Sequence, residues 1–199
     1  MKQLTAVDRR SKGFTLVEVV VSFAIITAIF GMLARVTLAT SGSTDYLVVD
    51  ASARREMQRA FERLQDELHR SAPTVVVVAT DGAGQDVLTL QVAGAWNGAA
   101  SWGAIDDSGV WRDDWSTRYR VQGSQLVRET LDAADAVQGG ASVLVRGVGA
   151  PAGGAKGFEV ARIGTIVTLR LRVTRSFADG VAHADTLATS VHVKNSAAP

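Results

Sequence analysis

The sequence predicts an α+β protein in which a long N-terminal helix, first apolar and then amphipathic, packs on an antiparallel β-sheet head. Three observations carry this. Residues 14–34 form an apolar run with one charge, Glu18. Between 53 and 68 apolar residues recur at three- and four-residue steps, which is a helical period. From residue 74 onward the period shortens to two and glycines punctuate it, as in strands joined by turns.

As a helix the apolar run is about 31 Å long, close to the thickness of a bilayer core. Its β-branched content would also suit a strand, but a strand this long is abnormal, and lipid leaves an unpaired strand unsatisfied. Lys2, Arg9, Arg10 and Lys12 precede the run and Arg35 closely follows it. The positive-inside bias therefore puts residues 1–13 in the cytoplasm and the C-terminal part outside. The apolar core is longer than that of an ordinary secretory signal, and Thr37-Leu38-Ala39 only approximates a cleavage site, so the segment is expected to be kept.

Net charge is +1, from 21 basic and 20 acidic side chains. The basic leader masks a slightly acidic remainder, and nothing forms the basic stripe of a nucleic-acid binder, so no nucleic-acid partner is expected. The absence of cysteine excludes a disulfide scaffold, a thiolate metal site and a cysteine nucleophile. Glu18 is the anomaly, because a carboxylate in hydrocarbon is costly and normally partnered. It either escapes to the membrane interface or meets a cation from another chain.

Lys12-Gly13-Phe14-Thr15-Leu16-Val17-Glu18 and the apolar run after it resemble the class III leader of type IV prepilins and type II secretion pseudopilins. The resemblance implies a pilin-like lollipop. Residues 1–13 would be a cleaved cytoplasmic leader bearing Arg9, Arg10 and Lys12. Residues 14–35 would be the transmembrane and assembly helix, 36–73 an amphipathic stem outside the membrane, and 74–199 a periplasmic β-rich head. It also implies peptidase cleavage between Gly13 and Phe14, N-methylation of Phe14, and registration of Glu18 against a neighbour's N-terminus. Implied partners are other major and minor pilins or pseudopilins, the prepilin peptidase/N-methyltransferase, an inner-membrane assembly platform, membrane lipid and, in a secretion system, exported cargo. The small residues Ser22, Ala24, Ala28 and Gly31 suit close helix approach.

Gly42 marks a weak point or bend, after which Ser43, Thr44 or Asp45 suits a cap. The stem then shows the stripe Ala53, Met57, Ala60, Phe61, Leu64 and Leu68, with surface pairs spaced at Arg59–Glu62, Arg63–Glu67 and Asp66–Arg70. Pro73 ends the helix. Strands are expected at 74–79, 86–92, 117–122, 125–130, 142–146, 158–162, 165–174 and 186–194, with the clearest turn at Gln122-Gly123-Ser124. Loops are expected at Gly139-Gly140 and 149–157.

Trp96, Trp102, Trp111 and Trp115 crowd one region with Asp106, Asp107, Asp113 and Asp114. The tryptophans fit either a binding patch or the cover of a sheet edge. The aspartates are the only candidates for a calcium site, and they lack the loop signature for one, so no metal or other cofactor is expected. Enzyme motifs are missing and His69, His183 and His192 are scattered, so no catalytic set is expected. The order of stem, proline, strand pair, tyrosine-bearing hairpin and long terminal strand pair is similar to J-class minor pseudopilins and W-class minor pilins. The function this implies is a minor subunit near the tip of a type II secretion pseudopilus, supporting export. A minor type IV pilus subunit, serving adhesion, motility or DNA uptake, and a membrane-anchored binding protein that never polymerises are the alternatives.

Overall fold

The structure is a computed structural model that describes residues 15–94, 101–106, 108–149, 155–176 and 182–193, with backbone alone between 39 and 49. It divides into two compact units, residues 1–48 and 49–199. Helix α1 (Leu16–His69) begins in the first and ends in the second. It is not restarted after Gly42 but continues through it; one glycine in a helix costs only about 1 kcal/mol.

In the first unit every described side chain from 15 to 38 is exposed. Leu16–Leu38 has a mean hydropathy of 2.4, long and apolar enough to cross a membrane. Its hydroxyls are satisfied within the helix. Ser22, Thr27 and Thr37 donate to the carbonyls of Glu18, Phe23 and Leu33 at 2.7, 2.8 and 2.9 Å. That arrangement suits a solvent without hydrogen bonds.

In the second unit the stripe predicted on the stem is the spine of the core. Ala53, Met57, Ala60, Phe61, Leu64 and Leu68 are each at most 4 % exposed. Burial of each large one is worth about 2 kcal/mol. The helix ends where Ser71 N–H bonds the Leu68 carbonyl, and the Arg70 carbonyl accepts from Ala93. Pro73 opens a short 3-10 turn, Pro73–Val75, so the first strand starts later than expected.

Among the described residues eleven strands follow, in three antiparallel sheets. The five-stranded sheet has the order β1-β2-β6-β7-β8, from β1 (Val76–Thr80), β2 (Asp86–Leu90), β6 (Ser116–Gln122), β7 (Gln125–Leu131) and β8 (Val137–Arg146). A second sheet orders β11-β10-β9, from β9 (Phe158–Ile163), β10 (Ile166–Ser176) and β11 (Ala182–His192). A third, small sheet orders β3-β4-β5, from β3 (Val92–Ala93), β4 (Trp102–Ile105) and β5 (Trp111–Asp113). Leu88, Leu90, Tyr119, Leu126 and Val145 of the first sheet meet Phe158, Val160, Val167, Leu169, Leu171 and Val173 of the second in one cluster with the stem's stripe. The alternation expected in β10 is observed, with Val167, Leu169, Leu171 and Val173 buried.

Several boundaries differ from expectation. The expected strand 86–92 is two pieces, because the chain leaves the large sheet after Leu90 and β3 pairs with β4. Gly139-Gly140 is not a loop: both residues lie inside β8. Gly139 takes φ +75° where the register against β7 slips, so it supplies the bulge that keeps the strand paired. Of the expected 149–157 loop, residues 150–154 are outside the described set, as is Lys194.

Three hairpin loops share one construction. In Asp81–Gln85, Asp106–Val110 and Asp132–Ala136, the leading carboxylate accepts the N–H groups two and four residues on, at 2.8–3.0 Å. The fourth residue is left-handed in each: Gly84 at φ +78°, Gly109 at +82° and Asp135 at +62°. Such carboxylate-to-backbone turns are local and self-contained.

Candidate functional site

Gly13, Phe14 and the leader residues Arg9, Arg10 and Lys12 lie outside the described residues. The description begins at Thr15, where the helix start is capped reciprocally. Glu18 N–H donates to Thr15 Oγ1 at 3.3 Å, and Thr15 N–H donates to Glu18 Oε2 at 3.4 Å. This is a capping box, S/T-x-x-E at the first turn, and it puts a negative group at the positive end of the helix. Glu18 thus has a local partner that reasoning from charges alone overlooks. The four-residue spacing Thr15-Leu16-Val17-Glu18 was the signal that could have shown it. The bonds are long, and the contact uses one carboxylate oxygen, Oε2.

Along the stem, Arg63–Glu67 forms at 3.6 Å, as its spacing predicts. Arg59–Glu62 and Asp66–Arg70 do not: among the described residues neither is an ion pair. At the start of the second unit Arg54 bridges Asp50 at 3.4 Å and Asp185 of β11 at 3.3 Å. The neighbouring Asp185 carboxyl holds the Asp50 carboxyl above its ordinary value. Further along, Glu56 takes Arg175 of β10 at 3.3 Å, and Gln65 donates to Thr189 at 2.8 Å. The helix is thereby fastened to the second sheet by polar contacts beside its apolar stripe.

Among the described residues, the tryptophan-rich region contains the small sheet β3-β4-β5. Trp96 and Asp107 lie outside the described residues. Trp102 opens β4, Trp111 opens β5, and Trp115 follows β5. The Trp111 ring packs against the core and lies over two glycines: a Cβ on Gly94 would stand 2.6 Å from it, and one on Gly103 3.0 Å. Its indole N–H donates to Asp113 at 2.9 Å. The Arg112 guanidinium stands 5.6 Å from the Trp115 ring centre. Trp111 thus packs over the glycines of its own small sheet.

Asp106 is consumed by its own turn. Its carboxylate takes the Ser108 hydroxyl at 2.6 Å, the Val110 N–H at 2.8 Å, and Arg112 at 3.0 Å. The Ser108 hydroxyl, the Val110 amide and then Arg112 hold its pKa down at about 2. Asp114 is left-handed at φ +61°. Among the described residues no group of three or more His, Asp or Glu side chains is placed to hold a metal ion.

The head also contains a polar cluster that sequence reasoning missed. Arg128, 5 % exposed in its side chain, donates Nε to Glu67 at 3.0 Å, and the Tyr119 hydroxyl donates to the same carboxylate at 2.7 Å. Burial, then the Glu67 charge, push the Tyr119 phenol well above its ordinary range. A groove of about 600 Å³ lies beside this cluster, lined by Arg63, Asp66, Glu67, Ile105 and Arg128 among others. Within it Glu67 takes both Arg63 and Arg128, and Asp106 takes Arg112. A buried carboxylate, Asp86, accepts from Val160 N–H at 2.8 Å and pairs with Lys156, joining β2 to β9.

No curated protein and no solved structure matches the chain. Residues 8–34 match the family described as the prokaryotic N-terminal methylation motif, a span that holds Gly13, Phe14, Glu18 and the first turns of α1. That motif indicates a type IV pilin- or pseudopilin-like protein, with the peptidase processing and the assembly with other pilins that such a leader implies, and the exposed apolar helix fits a single-pass membrane anchor.

Proposed function

We propose that the chain is a minor subunit, present in few copies near the tip of a type II secretion pseudopilus, and that it supports export without catalysing a reaction. The observation that carries this is the methylation motif joined to a helix whose apolar side chains from Leu16 to Leu38 are all exposed. Lipid and the flanks of sister helices are the two environments that cover such a surface at little loss of apolar burial. The finer class is supported by the element order: stem, Pro73, the β1–β2 pair, the Tyr119-bearing β6–β7 hairpin and the long β10–β11 pair.

In this reading the peptidase cuts between Gly13 and Phe14, and the Phe14 amine is methylated yet stays cationic. Glu18 gives one oxygen to its own helix cap, which leaves the other for the amine of a neighbouring chain. Arg9, Arg10 and Lys12 keep the leader cytoplasmic. The head stands in the periplasm, where the tryptophan-bearing β4–β5 hairpin is a surface for neighbours or cargo.

Intact-mass and N-terminal analysis of the protein from its native membrane tests this. The expected product begins at N-methylated Phe14, and Glu18→Ala is expected to abolish fibre incorporation while the head still folds. A mature chain that begins beyond residue 35, or one that keeps its leader, overturns the proposal.

A further inference from the structure

We infer that the outer edge of β1 takes an added strand from a different protein, antiparallel to β1, apolar at alternate residues and ending in a free carboxylate beside Arg162. The inference stands on backbone groups of the head and does not draw on the fibre-subunit function just proposed. β1 pairs with β2 in the register Val76↔Leu90 to Thr80↔Asp86. Just outside that span, Gln91 N–H donates to the Val75 carbonyl at 3.3 Å and Asp81 N–H to the Gln85 carbonyl at 2.8 Å. Bonded and non-bonded pairs alternate along an antiparallel ladder, so residues 75, 77, 79 and 81 turn their backbone groups toward β2. Val78 and Thr80 turn theirs outward, at the terminal strand of the large sheet, and among the described residues no group bonds them.

Free sheet edges are normally blunted by charges, prolines, bulges or inward-pointing ionic groups. The other outer strands of the two large sheets show such devices. The β7–β8 ladder is broken by register shifts, β11 turns Asp185 to the Arg54 guanidinium of the stem, and the Val160 N–H of β9 is held by Asp86. β1, with the sequence Val-Val-Val-Ala-Thr, has none of them. Beside it lies an open groove of about 650 Å³, lined by Thr74, Val76, Val77, Val78, Arg162 and Gly164. Val77 is 56 % exposed, and Ile163, the chain neighbour of Gly164, is 81 % exposed. Such an edge offers an added strand main-chain bonds for affinity and apolar places for alternate side chains.

Arg162 sets the direction and chemistry of the occupant. Its Nη1 donates to the Val76 carbonyl at 2.6 Å and its Nε to the Gly164 carbonyl at 3.2 Å. Both acceptors are neutral, and among the described residues no carboxylate pairs with this cation. A guanidinium has five N–H donors, so three remain. Because Arg162 takes the Val76 carbonyl, the open part of the ladder stops there, and a strand antiparallel to β1 brings its C-terminus to that point. A terminal carboxylate supplies acceptors alone, which is what the guanidinium lacks. The ion pair is exposed, so it contributes direction more than affinity. A second copy of β1 is a poorer occupant: it would bring Asp81, whose carboxylate already accepts the Ala83 and Gln85 amides of its own turn at 2.9 Å.

The test uses the detergent-solubilised full-length chain. By nuclear magnetic resonance, the Val78 and Thr80 amides are expected to exchange with solvent about ten-fold faster than those of Val77 and Ala79. The binding probe is an N-terminally fluorescein-labelled hexapeptide of alternating threonine and valine with a free C-terminal carboxylate, compared with its C-terminal amide. The acid form is expected to bind saturably, about five-fold more tightly than the amide, and to protect the Val78 and Thr80 amides from exchange. Thr80→Pro removes an outward N–H and no ladder bond, and Val77→Lys adds an edge charge; each should weaken binding about five-fold or more. Arg162→Gln should bind acid and amide forms equally. Unchanged melting shows that lost binding is not lost folding, and Val77→Lys decides the matter if Thr80→Pro unfolds the head. No saturation by about 1 mM peptide, equal binding of both forms by the unaltered chain, or binding that survives the edge variants would overturn the proposal. So would a concentration-dependent dimer abolished by Thr80→Pro or Val77→Lys, because the edge would then belong to a second copy. None of these results bears on processing at Phe14, so the fibre function stands or falls separately.

Discussion

The Tyr119 hydroxyl donates to Glu67 Oε2 across 2.7 Å, so the large sheet is hydrogen-bonded to the last turns of the stem through a fully buried phenol. Arg128 donates to the other oxygen of the same carboxylate at 3.0 Å. The three groups form a unit, and removing one exposes the cost of burying the rest. Tyr119→Phe is expected to destabilise the head by about 1–2 kcal/mol. Glu67→Ala should cost more, about 3 kcal/mol, because it leaves Arg128 buried and uncompensated. Denaturant unfolding of the detergent-solubilised chain measures both. A smaller loss for Glu67→Ala than for Tyr119→Phe would contradict the arrangement.

Tyr119 also sets an alkaline limit. Its folded pKa is raised above the ordinary 10, so the stability it contributes is complete below about pH 10 and is lost as pH climbs toward the folded value. In a spectrophotometric phenolate titration, Tyr119 should ionise only as the head unfolds. Ionisation near pH 10 with the fold intact would show the phenol to be accessible.

Asp106 sets an acid limit of the opposite sense. Its pKa is lowered from 3.8 to about 2, so its contribution is complete above about pH 4 and is lost as pH falls toward 2. Asp106→Asn should flatten the pH dependence of head stability in that window and leave stability near neutral pH changed mainly by the altered turn. An unaltered acid limb in the variant would place the acid sensitivity elsewhere.

The left-handed loop positions offer a test free of packing effects. No atom lies within 4 Å of a Cβ built on Gly84 or Gly109, so alanine there meets only backbone strain. Each substitution is expected to cost about 1 kcal/mol. Asp135→Gly, at the equivalent position of the third loop, should gain up to about 1 kcal/mol. Melting temperatures that move the same way for all three would contradict the shared construction.

Leu64→Ala should cost about 2–5 kcal/mol, since Leu64 is fully buried at the centre of the cluster. Arg59→Ala on the opposite face should change stability by less than about 0.5 kcal/mol. Chemical denaturation of the two variants in parallel separates core from surface.

The parts legible in the sequence were those governed by one strong period. All six residues of the stem's stripe are buried, and β10 alternates as its sequence does. The β6–β7 turn was legible because Gly123 at φ +62° begins a two-residue loop. β4 and β5 were missed because four tryptophans and many glycines obscure any alternation between 94 and 115. The start of β8 was missed because Gly139-Gly140 has the composition of a loop, while a bulge uses the same freedom inside a strand. At the helix start, Glu18 was singled out by its charge in an apolar run. Its bond to Thr15 was hidden because attention to ions passes over a backbone amide.

The repeated aspartate loops bear on the order in which the head is built. Each joins strands that are neighbours in both sequence and space, so hairpin closure involves short loops and little entropy. The β2–β6 pairing and the seating of the stem are the distant steps. Hairpins can thus assemble early, while the stem's greasy side waits uncovered until both large sheets exist. During that interval the nascent chain is most exposed to aggregation or proteolysis.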